Sequence, residues 1–94
     1  MKEGENIDYY LSGEIQFRSN YLGGYKNGES IYYFKSGEMG SISNYIYGER
    51  HAESIYYFRS GEIDFKSYYI YGKGVTKLEW LSYNRNIKLE LILL

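Results

Sequence analysis

The sequence predicts an all-β fold, a single-layer twisted antiparallel meander of β-hairpin repeats. Three observations predict it: 14 tyrosines among 94 residues, 11 glycines with no proline, and a short motif that returns at a constant step. Tyr and Phe suit a pleated, half-buried surface, and frequent Gly marks turns. The motif reads Ser12-Gly13-Glu14-Ile15, Ser36-Gly37-Glu38-Met39 and Ser60-Gly61-Glu62-Ile63, a step of 24 residues. Tyr9, Tyr33 and Tyr57 keep the step, as do Tyr21, Tyr45 and Tyr69, and Gly24, Gly48 and Gly72. The chain, 1–94, is then one domain with copies at approximately 5–28, 29–52 and 53–76. A degenerate fourth copy falls at 77–94, with Trp80 and Asn84-Arg85-Asn86-Ile87 on the repeat positions. Terminal repeats depart from the pattern because one side of them lacks a neighbour.

Within a copy, Ser-Gly between two runs of β-forming residues predicts a two-residue hairpin turn. That turn sets Lys35 opposite Glu38 and Arg59 opposite Glu62, each pair contributing roughly 0.2–1 kcal/mol. Alternation then assigns faces. Tyr32, Phe34, Met39, Ser41, Ser43 and Tyr45 share one, with Tyr56, Phe58, Ile63, Phe65, Ser67 and Tyr69 from the next copy; this is expected to be the more buried face. The wetter face collects Ile31, Tyr33, Lys35, Glu38, Ile42 and Asn44, then Ile55, Tyr57, Arg59, Glu62, Asp64, Lys66 and Tyr68. Eight strands in order span about 35 Å, with neighbouring copies about 10 Å apart. One hairpin cannot bury its own face, which is why the copies exist. The last strand, "NIKLELILL" at 86–94, becomes apolar on both faces and is an exposed edge. It is expected to fold back as a cap or to pair with a second chain, in a homodimer anchored by Leu89, Leu91, Ile92, Leu93 and Leu94.

Composition excludes several function classes. Eleven basic and 12 acidic residues in mixed order give a net charge of −1, so no field favours nucleic acid or an anionic membrane. Without cysteine there is neither a disulfide framework nor a thiolate metal site. The start, "MKEGENIDYY", lacks the apolar run of a signal peptide, and "LILL" at 91–94 is too short to span a bilayer, so a cytoplasmic location is expected.

With the repeat in view, "GYKNGESIYYFKSGEM" at 24–39 resembles a MORN repeat of the variant type common in bacteria. That pattern runs Tyr-x-x-Gly, a short polar connection, paired aromatics, then Asn/Ser-Gly before an aliphatic residue. "YIYGERHAESIYYFRSGEI" at 45–63 resembles the next unit, with Arg50-His51 in the connection and Ala52 in place of the usual Gly. The resemblance implies a hairpin-repeat binding scaffold. Bacterial members, often called YwqK-type, are similar to antitoxins or immunity proteins; other members are linked to membranes and to scaffolding.

Catalytic readings give way to structural ones. His51 stands alone in the inter-repeat connection, and with no Cys and only Asp8 and Asp64 nothing has metal-ligand spacing, so no cofactor or metal is expected. Ser12, Ser36 and Ser60 read as turn residues, and Glu14, Glu38 and Glu62 stand about 10 Å apart, too far for a retaining pair. "GKGVTK" at 72–77 lacks the full glycine pattern of a phosphate loop. Aromatics interleaved with Lys35, Arg59 and Lys66 could stack bases, but Glu38, Glu62 and Asp64 share their face. A non-enzymatic module that binds another protein is the expectation, with Tyr9, Tyr33, Tyr57, Arg59 and Lys66 as contact residues. An antitoxin acting by occlusion is its specific form; a structural or membrane-peripheral scaffold is the alternative.

Overall fold

The computed structural model describes residues 1–93, with side chains through Glu90. Long strands come in hairpins: β1 (Gly4–Tyr9) with β2 (Ile15–Leu22), β4 (Gly28–Tyr33) with β5 (Met39–Ile46), and β7 (Ala52–Tyr57) with β8 (Ile63–Ile70). Short strands β3 (Tyr25–Lys26), β6 (Glu49–Arg50) and β9 (Lys73–Val75) pair back onto β2, β5 and β8. All belong to one open antiparallel sheet in the order β1-β2-β4-β5-β7-β8-β9, with β3 and β6 off that path. The all-β meander of hairpins is therefore the fold. Because β9 pairs only with Tyr68 to Ile70, the outer edge of β8 from Ile63 to Ser67 has no strand partner among the described residues.

The hairpin turns differ from the expected ones. Phe34 N–H donates to the Glu38 carbonyl (2.8 Å), and Gly37 N–H donates to the Phe34 carbonyl (2.9 Å). Lys35, Ser36 and Gly37 thus form a three-residue loop, with Gly37 at φ 102°, where a side chain would be strained. The same bonds recur at Tyr10–Glu14 and Phe58–Glu62. Phe34, not Lys35, faces Glu38, so the Lys35–Glu38 and Arg59–Glu62 cross-strand pairs do not form. Ser12 and Ser36 instead donate to the Glu14 and Glu38 carboxylates. A one-residue bulge follows each loop: Tyr33 pairs with Met39 but Tyr32 with Ser41, leaving Gly40 extra. The longer loop shifts the register by one residue and the bulge shifts it back. Beyond Gly40 the faces are those that alternation assigns.

Two-residue turns do occur, at Gly23-Gly24, Tyr47-Gly48 and Tyr71-Gly72, where both residues have positive φ (60° and 86°, 49° and 79°, 44° and 84°). Such turns match the twist of the flanking strands. Gly24, Gly48 and Gly72 N–H groups each donate to a carbonyl from before their own copy, of Lys2, Lys26 and Arg50 (3.1, 2.9 and 2.7 Å). The copies are tied together at this end.

Neither face is a closed core. The serine face carries the rows Phe17, Tyr32, Ser41, Tyr56, Phe65 and the pairs Ser30–Ser43 and Ser54–Ser67. Ser19, Ser43 and Ser54 are buried on it. The isoleucine face carries the row Ile7, Arg18, Ile31, Ile42, Ile55, Lys66. Its Tyr68 is the one buried apolar side chain among the described residues.

The fourth copy is a helix. α1 (Lys77–Leu93) replaces the two strands and edge expected at 77–94. Thr76 Oγ1 accepts from Glu79 N–H (3.1 Å), and Glu79 Oε1 accepts from Thr76 N–H (3.2 Å), a reciprocal cap. The glycine that closes each hairpin loop is Arg85 here. Leu89 lies on the helix, exposed, rather than on an edge strand; the Leu91, Ile92 and Leu93 side chains and all of Leu94 lie outside the described residues. Among the described residues no helix is long and apolar enough to cross a membrane.

Candidate functional site

Strand ends position the expected contact residues. Tyr9, Tyr33 and Tyr57 close β1, β4 and β7 beside the hairpin loops, paired with Ile15, Met39 and Ile63. Tyr9 is 58 % exposed, and Tyr33 and Tyr57 are half-buried. Around Tyr33 a shallow depression is lined by Glu14, Ile15, Arg18 and Gly37. Lys66 shares this isoleucine face, where its Nζ pairs with Glu53 (3.6 Å); Arg18 pairs with Glu5 (3.2 Å). Arg59 does not join them. Its guanidinium lies 5.6 Å from the centre of the Phe34 ring, one copy back, near Glu38. Four of the five expected residues therefore follow the isoleucine side, and the fifth leans over the loop toward the serine face.

Aromatic contacts on the serine face run between copies, Phe17 with Tyr32 (5.2 Å), and within them, Tyr32 with Phe34 (5.8 Å) and Tyr56 stacked on Phe65 (4.4 Å, 13°). Tyr10 donates to the Tyr33 carbonyl (2.7 Å) and meets the Tyr32 hydroxyl (3.3 Å). That bond to Tyr32, then burial, pushes the Tyr10 phenol up to about 12. At the far end, Phe58, Ile63 and Phe65 are 51, 49 and 53 % exposed, because no further copy covers them.

A second arrangement on the serine face was not anticipated. Lys2 lies over Tyr21, Lys26 over Tyr45 and Arg50 over Tyr69, each 5.0–5.4 Å from the ring centre. Pairing makes this one line, since Tyr21 opposes Lys26 and Tyr45 opposes Arg50. Arg50 also donates to three phenols, Tyr45 (3.3 Å), Tyr56 (3.2 Å) and Tyr69 (3.2 Å). The Tyr45 hydroxyl, opposed by burial and assisted by Tyr69, holds the guanidinium more firmly protonated. Between Lys26 and Arg50 a cleft of about 70 Å³ is lined by Ser30, Tyr32, Ser43 and Tyr45, among others. The sequence signal was present: Lys2, Lys26 and Arg50 keep the same step as Tyr21, Tyr45 and Tyr69.

His51 is enclosed by aromatic rings rather than by metal ligands. Tyr71, Trp80 and Tyr83 lie 4.5, 5.4 and 6.0 Å from its ring centre, and its Nδ1 accepts from Tyr71 N–H (3.1 Å). It docks the start of α1 onto the sheet. Among the described residues no group of three or more His, Cys, Asp or Glu is placed to hold a metal ion.

No family model matches the chain, and no curated protein or solved structure does either.

Proposed function

We propose that this chain is a non-enzymatic protein-binding module of MORN-like hairpins, acting as a bacterial antitoxin or immunity protein that occludes a partner toxin. The observation that supports the reading is the exposure of large apolar groups on a rigid single-layer sheet. Tyr9, Phe58, Ile63 and Phe65 are each about half exposed, and among the described residues Tyr68 is the one buried apolar side chain. Exposed large apolar groups are characteristic of interaction sites, and Tyr and Arg are favoured at their centres. The loop end of the sheet, with Tyr9, Tyr33 and Tyr57 in a row and Arg59 and Lys66 beside them, is the contact surface. A cytoplasmic location belongs to the same proposal.

The test is capture with the tagged chain from native lysate, followed by an activity assay of the captured protein with and without the chain. One stoichiometric partner is expected, inhibited by the chain and released by the Tyr33→Ala/Tyr57→Ala double substitution. A partner that keeps its full activity in the complex overturns the antitoxin reading. One bound equally by the folded double variant overturns the contact surface.

A self-associating scaffold is the second reading, favoured by one feature. Leu78, Leu81 and Leu89 on α1 are 77, 48 and 51 % exposed. Light scattering decides: a concentration-independent monomer removes this reading.

A further inference from the structure

We infer that the cleft between Lys26 and Arg50 on the serine face is an oxyanion site that takes a phosphate or sulfate group. The first observation is an unbalanced cation. Arg50 is half-buried, yet its partners are three neutral phenols, and no carboxylate lies within ion-pair distance of it among the described residues. Removing a cation from water without a counter-charge is costly, and a bound anion would supply that charge.

The second observation is the chemistry of the lining. Of the three phenols that accept from Arg50, Tyr45 lines the cleft, and accepting leaves its O–H free to donate into it, beside the hydroxyls of Ser41 and Ser43. Lys26, which also lines the cleft, has its ammonium 5.1 Å from the centre of the Tyr45 ring, and it carries only donors. The buried Ser30 Oγ, which lines the cleft, has no hydrogen-bond partner. No Asp or Glu lines it. Two cations among hydroxyl donors match a tetrahedral oxyanion and repel a cation. The acids Glu5 and Glu53 pair with cations of the opposite face.

Size is the third observation. A cleft of about 70 Å³ holds about five water-sized atoms, the count of one phosphate or sulfate group. The backbone that carries the two cations is held independently of any ligand, since the Gly48 and Gly72 N–H groups donate to the Lys26 and Arg50 carbonyls.

The experiment titrates inorganic phosphate and sulfate into the whole chain at constant ionic strength, with chloride as the exchanged ion, following the Tyr45, Tyr56 and Tyr69 ring resonances. Saturable one-to-one binding is expected. Arg50→Gln should weaken it about tenfold or more and Lys26→Gln by a smaller factor. Arg18→Gln, which removes a cation of the isoleucine face, should leave it unchanged. Circular dichroism selects variants that keep the fold, and Lys26→Gln carries the test if Arg50→Gln does not. Non-saturating shifts, shifts equal to those with chloride, or equal binding by all folded variants overturn the site. A monoalkyl phosphate titrated in parallel identifies the source. Preference for the free ion marks a small-ion ligand, whereas preference for the ester marks a phosphate carried on a larger molecule.

Discussion

Residues 53–70 and 77–93 occupy equivalent stretches of the repeat, yet the first is a hairpin and the second a helix. What separates them is small. The hairpin loop closes through Gly61 at φ 93°, and the equivalent residue in the last copy is Arg85. A side chain in left-handed backbone costs roughly 1–2 kcal/mol. The helix also has a start signal that the hairpins lack, the reciprocal Thr76–Glu79 cap. One turn residue and one cap thus favour the helix over the hairpin in a stretch of similar apolar content, together with leucines and lysines where the hairpin has tyrosines and phenylalanines. Packing contributes only near the start of α1, where Trp80 and Tyr83 meet His51; most of its other described side chains are exposed.

The sharpest way to break this comparison is at Gly40. A Cβ there would meet Tyr32 Cδ2 at 2.6 Å and Phe34 Cζ at 3.3 Å. Gly40→Val should destabilise the chain by about 1–3 kcal/mol in urea titration. The equivalent residue on α1 is the exposed Lys88, where Val should cost no more than about 0.7 kcal/mol. Equal losses at the two sites would mean that the bulge is not closely packed.

A smaller effect is expected at the helix start. Thr76→Ala removes one half of the cap and should cost about 1 kcal/mol of helix stability. Its mark is a loss of helical ellipticity while the strand signal holds. Simultaneous loss of both would show that the sheet depends on the helix.

The smallest effect is a titration. Burial pushes the His51 imidazole below its ordinary value of 6.5. The unfolded chain therefore takes up this proton more readily, so the contribution of His51 to stability is complete above 6.5. It declines as pH falls through 6.5 toward the lower folded value. Protonation at Nδ1 also removes the acceptor for Tyr71 N–H. Trp80 is the one tryptophan of the chain and lies 5.4 Å from the imidazole, so its fluorescence should titrate with a midpoint below 6.5. A midpoint at or above 6.5, or an unchanged titration in His51→Gln, contradicts the docking described.

The sheet and its faces were legible in the sequence for a reason the sequence did not display. A two-residue turn at Ser36-Gly37 leads to the pairing of Tyr32 with Ser41, and so does a three-residue loop followed by a bulge at Gly40. Alternation sees only the sum. The Lys35–Glu38 pair lies between the two offsets, where they do not cancel, and that part was misread. Extending the period through residues 77–94 hid the helix, although Thr76-x-x-Glu79 is a readable cap and Arg85 a readable lack of glycine. Of the candidate contacts, Tyr33, Tyr57 and Lys66 share a face as alternation requires. Arg59 escaped because a loop residue obeys no strand parity. The line of Lys2, Lys26 and Arg50 was periodic in plain view, but its cations belong to different strands from the rings they cover.

The unpaired outer edge of β8 has a consequence for the chain in bulk. A row of free backbone donors and acceptors is a template on which other strands can accrete. Between Ile63 and Ser67 that row is interrupted by Asp64, the extra residue of the third bulge, and by the exposed Lys66. An incoming strand would meet a kinked backbone and two charges of opposite sign. The edge left bare where the repeats stop is thereby guarded against growth into a fibril.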